Sequence, residues 1–264
     1  MESELADITQ LIFRSDTKKI DRPPFVHNWV RFNHPTELST VKSIVSFMTG
    51  TPQISYAAGQ PIIRDRIALK LDRDTALKAA LNNGHKKSRP YVAEYVNAFY
   101  DYDDVRNYSG KPSYDQYVAP YSISRDTRIP VKPLIVISEA GVLKPIFIVG
   151  WATMPLTLFQ RRLLMTVLED AVFSLTDFQD SPGEFICFPR AKGTGSGRYA
   201  EVWNRGDFVL LTESEMKDQT ELYLRALATA KSIVAGTTPT EAPSQTERTS
   251  VDQTQTGDLF GKRW

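Results

Sequence analysis

Leu134-Ile135-Val136-Ile137 and Ile146-Phe147-Ile148-Val149 are two β-branched runs parted by Glu139-Ala140-Gly141. Runs of this kind around a turn signal read as a β-hairpin. Downstream, Leu163, Leu164, Val167, Leu168, Ala171, Val172 and Leu175 recur on one face of a helix predicted over Leu156 to Leu175. Glu184 to Phe188, Tyr199 to Trp203 and Phe208 to Leu211 read as three further short strands. Thr212-Glu213-Ser214-Glu215 is a capping box, in which Thr and Glu satisfy each other's free backbone donors. It opens a last helix that runs to Gly236, with Met216, Tyr223, Leu227, Ala230 and Val234 on one stripe.

Upstream of the hairpin the pattern is helical. Val41, Ile44, Val45 and Met48 sit at helical spacing between Leu38 and Met48, and Gly50 ends the run. Asp74 to Leu81 is rich in Ala and Leu and closes on Asn82-Asn83-Gly84, a C-cap signal. Pro90 opens a third helix that reaches Tyr100. Residues 101 to 130 have no clean period and read as a long ordered loop or a join between subdomains. The expected fold is α+β: a helical N-terminal half, then an antiparallel sheet covered by two helices, with a disordered C-terminal tail. The corresponding divisions are 1–130, 131–235 and 236–264.

The balance of 32 Lys and Arg against 31 Asp and Glu leaves a formal charge of +1, so any basic surface must be local. With 41% hydrophobic and 24% charged residues the body is of ordinary globular composition. Cys187 is the single cysteine, which excludes an intramolecular disulfide and a thiolate zinc site. Its neighbours Phe185, Ile186 and Phe188 predict a buried thiol. Met1-Glu2-Ser3-Glu4 lacks the basic start of a signal peptide, and no stretch approaches the roughly 20 apolar residues of a membrane span. A cytoplasmic protein with no membrane partner is expected.

From Gly236 onward Thr, Ser, Gln, Pro and Glu dominate, a composition that cannot offset its ordering entropy. That tail ends in Gln255-Thr256-Gly257-Asp258-Leu259-Phe260-Gly261-Lys262-Arg263-Trp264. An apolar pair far from any core fits a peptide offered to a partner's pocket, and two such side chains are worth roughly 2–5 kcal/mol on burial. Gln255, Asp258, Leu259 and Phe260 resemble the bacterial sliding-clamp-binding peptide, which carries Gln, a spacer, often a small or acidic residue, and then Leu-Phe. The resemblance covers six residues and implies a sliding clamp as partner. The other reading of the same residues is a tail that docks on its own globule.

Two basic segments are candidates for nucleic acid as a second partner. Arg190-Ala191-Lys192-Gly193-Thr194-Gly195-Ser196-Gly197-Arg198 lacks P-loop spacing and reads as a hairpin connection, whose Arg190, Lys192 and Arg198 could touch a phosphate backbone. Lys86, Lys87 and Arg89 open a stretch in which tyrosines from Tyr91 to Tyr121 alternate with cations. That is the composition of a single-strand stacking surface, and also of a loop packed by its tyrosines. His27, His34 and His85 lie far apart, and no nucleophile elbow is present. Asp101, Asp103 and Asp104, and Asp177, Asp180 and Glu184, are two acidic clusters without an acid-x-Lys element. No catalytic residue, metal ligand or cofactor is assigned. The leading expectation is a non-enzymatic accessory protein of DNA metabolism (replication, repair or a mobile element), tethered to a clamp by its tail. A metal-dependent nuclease using an acidic cluster, and an interaction protein unrelated to DNA, are the alternatives.

Overall fold

The computed structural model describes residues 23–50, 54–114, 117–191 and 197–236. Among them lie seven α-helices: α1 (Val26–Trp29), α2 (Glu37–Thr49), α3 (Gly59–Leu69), α4 (Arg73–Asn82), α5 (Arg89–Arg106), α6 (Leu158–Leu168) and α7 (Glu213–Val234). The strands are β1 (Lys111–Tyr114), β2 (Ala119–Ser122), β3 (Arg128–Val131), β4 (Ile135–Glu139), β5 (Val142–Val149), β6 (Glu184–Cys187) and β7 (Glu201–Asn204). Five of them form one sheet in the order β1-β4-β5-β6-β7, and β2 pairs with β3 in a separate ribbon. The class is α+β.

The β4–β5 hairpin turns on Ala140 (φ 54°) and Gly141 (φ 80°). Two consecutive positive φ values give the backbone twist that matches paired strands, and Gly141 adopts one without penalty. Beyond the hairpin the sheet is mixed. β5 runs parallel to β6, while β6 pairs antiparallel with β7. A parallel neighbour requires a crossover, and α6 supplies it.

The central strands are apolar on both sides because both faces of the sheet are covered. Val136, Phe147, Val149, Phe185 and Cys187 point into one core with α1, α2, α6 and α7. Ile135, Ile137, Ile146, Ile148 and Ile186 point into the other, against α3, α4 and α5. The helical first half is therefore split between the two faces, α1 and α2 on one and α3 to α5 on the other, and also supplies the edge strand β1. Cys187 is buried, and burial pushes its thiol upward, as its apolar neighbours imply.

Three local expectations need correction. Residues 101–130 are not one loop: α5 continues to Arg106, and β1, β2 and β3 follow. Phe208 to Leu211 forms no strand; Arg162 donates to the carbonyls of Val209 and Leu210 and holds them as irregular chain. The helix predicted to Leu175 is α-helical only to Leu168, then widens to a π-turn over Glu169–Phe173. Its start is set by a capping box of Thr157 and Gln160. Helix α3, which no periodicity announced, packs Ile62, Ile63 and Ile67 into the second core. Among the described residues no helix is long and apolar enough to cross a membrane.

At the hairpin end of the sheet Arg106, Glu139, Lys144 and Glu184 form a closed ion cluster. Arg106 lies 2.7 Å from Glu139 and 2.9 Å from Glu184, and Lys144 lies 2.8 Å and 3.5 Å from the same two carboxylates. The buried Tyr108 hydroxyl donates to Glu184 at 2.5 Å. Burial alone would raise the Glu139 carboxyl, but hydrogen bonds from Arg106 and Lys144 hold it at about 2. The cluster neutralises itself and is structural.

Candidate functional site: a basic cleft beside the sheet

A cleft of about 1740 Å³ opens where β4 and β5 part company. The register ends with Ile135 opposite Ile146, after which Leu134 N donates to Ile146 O. Pro133 has no N–H to continue the ladder, so the two chains diverge. Lys132 to Leu134 then forms one lip, and Phe147 to Val149 with Gly150-Trp151-Ala152-Thr153 forms the floor and the next wall.

The remaining walls are fixed by buried polar contacts. Gln60 on α3 donates to Ile148 O at 2.9 Å and to the Tyr95 hydroxyl at 3.2 Å, using a carbonyl that the ladder leaves free. Gln160 on α6 donates to the Arg31 and Asn33 carbonyls, and Gln219 on α7 donates to Asn33 Oδ1. These bonds lock the segment that carries Arg31 and His34. Gly150 permits the closest approach: a Cβ there would lie 2.7 Å from Tyr56 Cβ and 3.0 Å from Tyr95 Cδ1.

Charge is the distinctive property of the lining. Arg31, Lys42, Arg64 and Lys132 face the cleft, and no Asp or Glu is among the described residues that line it. Arg31 and Lys132 have no carboxylate partner among the described residues. Burial without a counter-ion lowers the Arg31 guanidinium. Aromatic surface is interleaved with these cations: Phe25, Phe47, Tyr56 and Trp151 all line the cleft. Phe25 stacks on His27 at 6.0 Å between ring centres, and His27 meets Trp151 edge-on at 6.0 Å. His34 Nε2 and Ser43 Oγ are 2.7 Å apart.

Burial, with Arg31 as a second cause, lowers His27 to about 4, and burial also lowers His34. A histidine whose folded value lies below its unfolded value of about 6.5 binds fewer protons folded than unfolded between the two. Stability is therefore fully present above pH ~6.5 and falls as pH drops toward 4, by roughly 1–3 kcal/mol for His27. Glu139 extends the loss from its unfolded value of about 4.3 down to about 2. Urea denaturation at pH 7, 5.5 and 4 is expected to show a falling midpoint. His27→Gln is expected to flatten the upper part of that fall; an unchanged pH dependence would contradict a half-buried imidazole held neutral.

The residues singled out from the sequence are distributed otherwise. Arg190 donates to Glu94 at 2.8 and 2.5 Å. The Arg198 side chain is fully buried, donating to the Gly150 and Phe188 carbonyls and to the Tyr56 hydroxyl, with its Nε 3.3 Å from Glu94. It supports the cleft wall from behind and offers nothing to a phosphate. Lys192 lies outside the described residues. Lys86 and Lys87 are exposed and Arg89 is half-buried, on a turn whose Gly84 abuts Ala58 behind the cleft wall. Gln255, Asp258, Leu259 and Phe260 lie outside the described residues. Tyr95, Tyr100 and Tyr108 are buried in the second core, so they are packing groups.

The acidic clusters are not brought to a metal site. Asp103 pairs with Arg66, Asp104 with Arg66 and Arg73, and Asp101 with Arg73. Glu184 belongs to the ion cluster, while Asp177 and Asp180 are exposed. Among the described residues no group of three or more His, Cys, Asp or Glu could hold a metal ion. Arg31, Lys42, Arg64, Lys132, Phe25 and Trp151 escaped sequence reading, because they come from separate segments with no common period. Compared with known protein families and with curated proteins, the chain matches none.

Proposed function

We propose that this protein is a non-enzymatic accessory of DNA metabolism whose body binds nucleic acid in the basic cleft and whose tail peptide anchors it to a sliding clamp. One observation carries the first half: Arg31, Lys42, Arg64 and Lys132 converge on a cleft with no carboxylate among its described lining residues. Arg31, partly desolvated, and Lys132 have no carboxylate partner among the described residues and call for an external anion. A polyanion also accounts for the cleft's size, since small-molecule sites are commonly about 300–1,000 Å³. The aromatic groups between the cations suit bases as well as phosphates.

The second half rests on Gln255, Asp258, Leu259 and Phe260. A weak anchor at the end of the polar tail raises the local concentration of the cleft at a clamp-loaded site without any new contact to DNA. On this reading the protein works in the cytoplasm, at replication or repair sites.

Fluorescence anisotropy with purified clamp and labelled DNA tests both halves. The Leu259→Ala/Phe260→Ala variant is expected to lose clamp binding at least tenfold while keeping its affinity for free DNA. Equal clamp binding by wild type and variant would remove the tether. Absence of DNA binding even at low salt would remove the role of the body.

A further inference from the structure

We propose, building on the nucleic-acid reading above, that the cleft accepts single-stranded DNA, with bases stacked on Phe25 and phosphates on Arg31, Arg64 and Lys132, and that it excludes duplex. Arg31 is half-buried in a recess between diverging strands, while Arg64 and Lys132 stand exposed at its edge. A duplex presents its phosphates on the outside of a stiff cylinder and hides its base faces in the stack. It could touch the cations at the edge but could offer no base face to Phe25. A single strand can enter, turn its bases to one wall and its phosphates to another.

Phe25 is the residue placed for that contact. It is 42% exposed, lies at the cleft, and caps α1 without any side-chain hydrogen bond. One face of its ring rests on His27, and much of the remaining ring surface is open. An exposed phenylalanine lining the same cleft as Arg31 and Trp151 is the sequence-tolerant stacking surface that unpaired bases use. The other cleft aromatics are committed: Tyr56 lies beneath Arg198 at 4.9 Å and Phe47 packs on Phe32 at 4.7 Å. The recess does not yield easily, because Gln60, Gln160 and Arg198 bond its walls to backbone carbonyls.

The test is an anisotropy titration of the full chain with a fluorescein-labelled oligothymidylate of roughly 15 nucleotides, a duplex of equal length and the matching ribo-oligonucleotide, with polyphosphate as competitor. The deoxy single strand is expected to bind at least tenfold more tightly than duplex. Phe25→Ala is expected to weaken single-strand binding roughly tenfold and leave polyphosphate competition unchanged. Phe25→Trp, which keeps a ring at the site, should bind as wild type does and shows that the position tolerates change. Equal or tighter duplex binding would overturn the single-strand inference and leave the nucleic-acid reading standing. Unchanged affinity in Phe25→Ala would overturn the stacking role. A tenfold preference for the ribo strand would preserve the single-strand inference and overturn the DNA reading. Failure of every nucleic acid to bind would overturn both.

Discussion

Glu184→Ala is expected to destabilise the fold by about 3–5 kcal/mol, because breaking a buried ion pair strands the charges that it served. Glu184 accepts from Arg106 and from Tyr108, and stands 3.5 Å from Lys144. Without it, two cations share Glu139 and the buried Tyr108 hydroxyl loses its partner. For a body of this size that loss corresponds to a fall of roughly 10 °C in Tm. Glu184→Gln keeps an acceptor for Tyr108 and should cost less than Glu184→Ala. An Arg106→Leu/Glu184→Leu double variant should recover much of the loss, since it removes one charge of each sign and leaves Lys144 on Glu139. Thermal unfolding of the three variants decides it. A loss below about 1 kcal/mol in Glu184→Ala would show that the cluster does not hold this end of the sheet together.

The elements legible in the sequence were those whose neighbours are local. β4 and β5 could be read because β-branched runs flank a turn, and α7 because Thr212 and Glu215 mark its start within four residues. The two-sided cover of the sheet was present in the same runs, since Ile146 to Val149 is apolar without alternation. Pairings between distant segments were not legible. Asp101, Asp103 and Asp104 look like loop carboxylates until α3 and α4 bring Arg66 and Arg73 to them. Arg198 sits in a Gly-rich, basic segment that reads as a phosphate-contacting loop. Only the fold shows that Glu94 and two backbone carbonyls absorb it. The cleft was the least legible feature. Its cations stand at 31, 42, 64 and 132, and only the divergence after Ile135 makes them neighbours.

Arg31→Glu/Lys132→Glu is expected to weaken DNA binding roughly 100-fold or more at about 0.1 M salt, since the half-buried Arg31 and the exposed Lys132 both change from attracting to repelling phosphate. The fold should survive, because neither residue has an ion-pair partner among the described residues to lose. Lys86→Glu/Lys87→Glu is the matched control: the same charge change on an exposed turn should weaken binding far less. An equal loss from both double variants would mean that net charge, and not the cleft, governs binding.

The most direct test is the salt dependence of single-strand affinity in wild-type protein. Arg31, Arg64 and Lys132 engaging phosphates predict a slope of log K against log salt of about −2, reduced by about two-thirds in an Arg31→Ala/Lys132→Ala variant. A wild-type slope near zero, or one that the variant leaves unchanged, would contradict the assignment of the cleft as the DNA-binding surface.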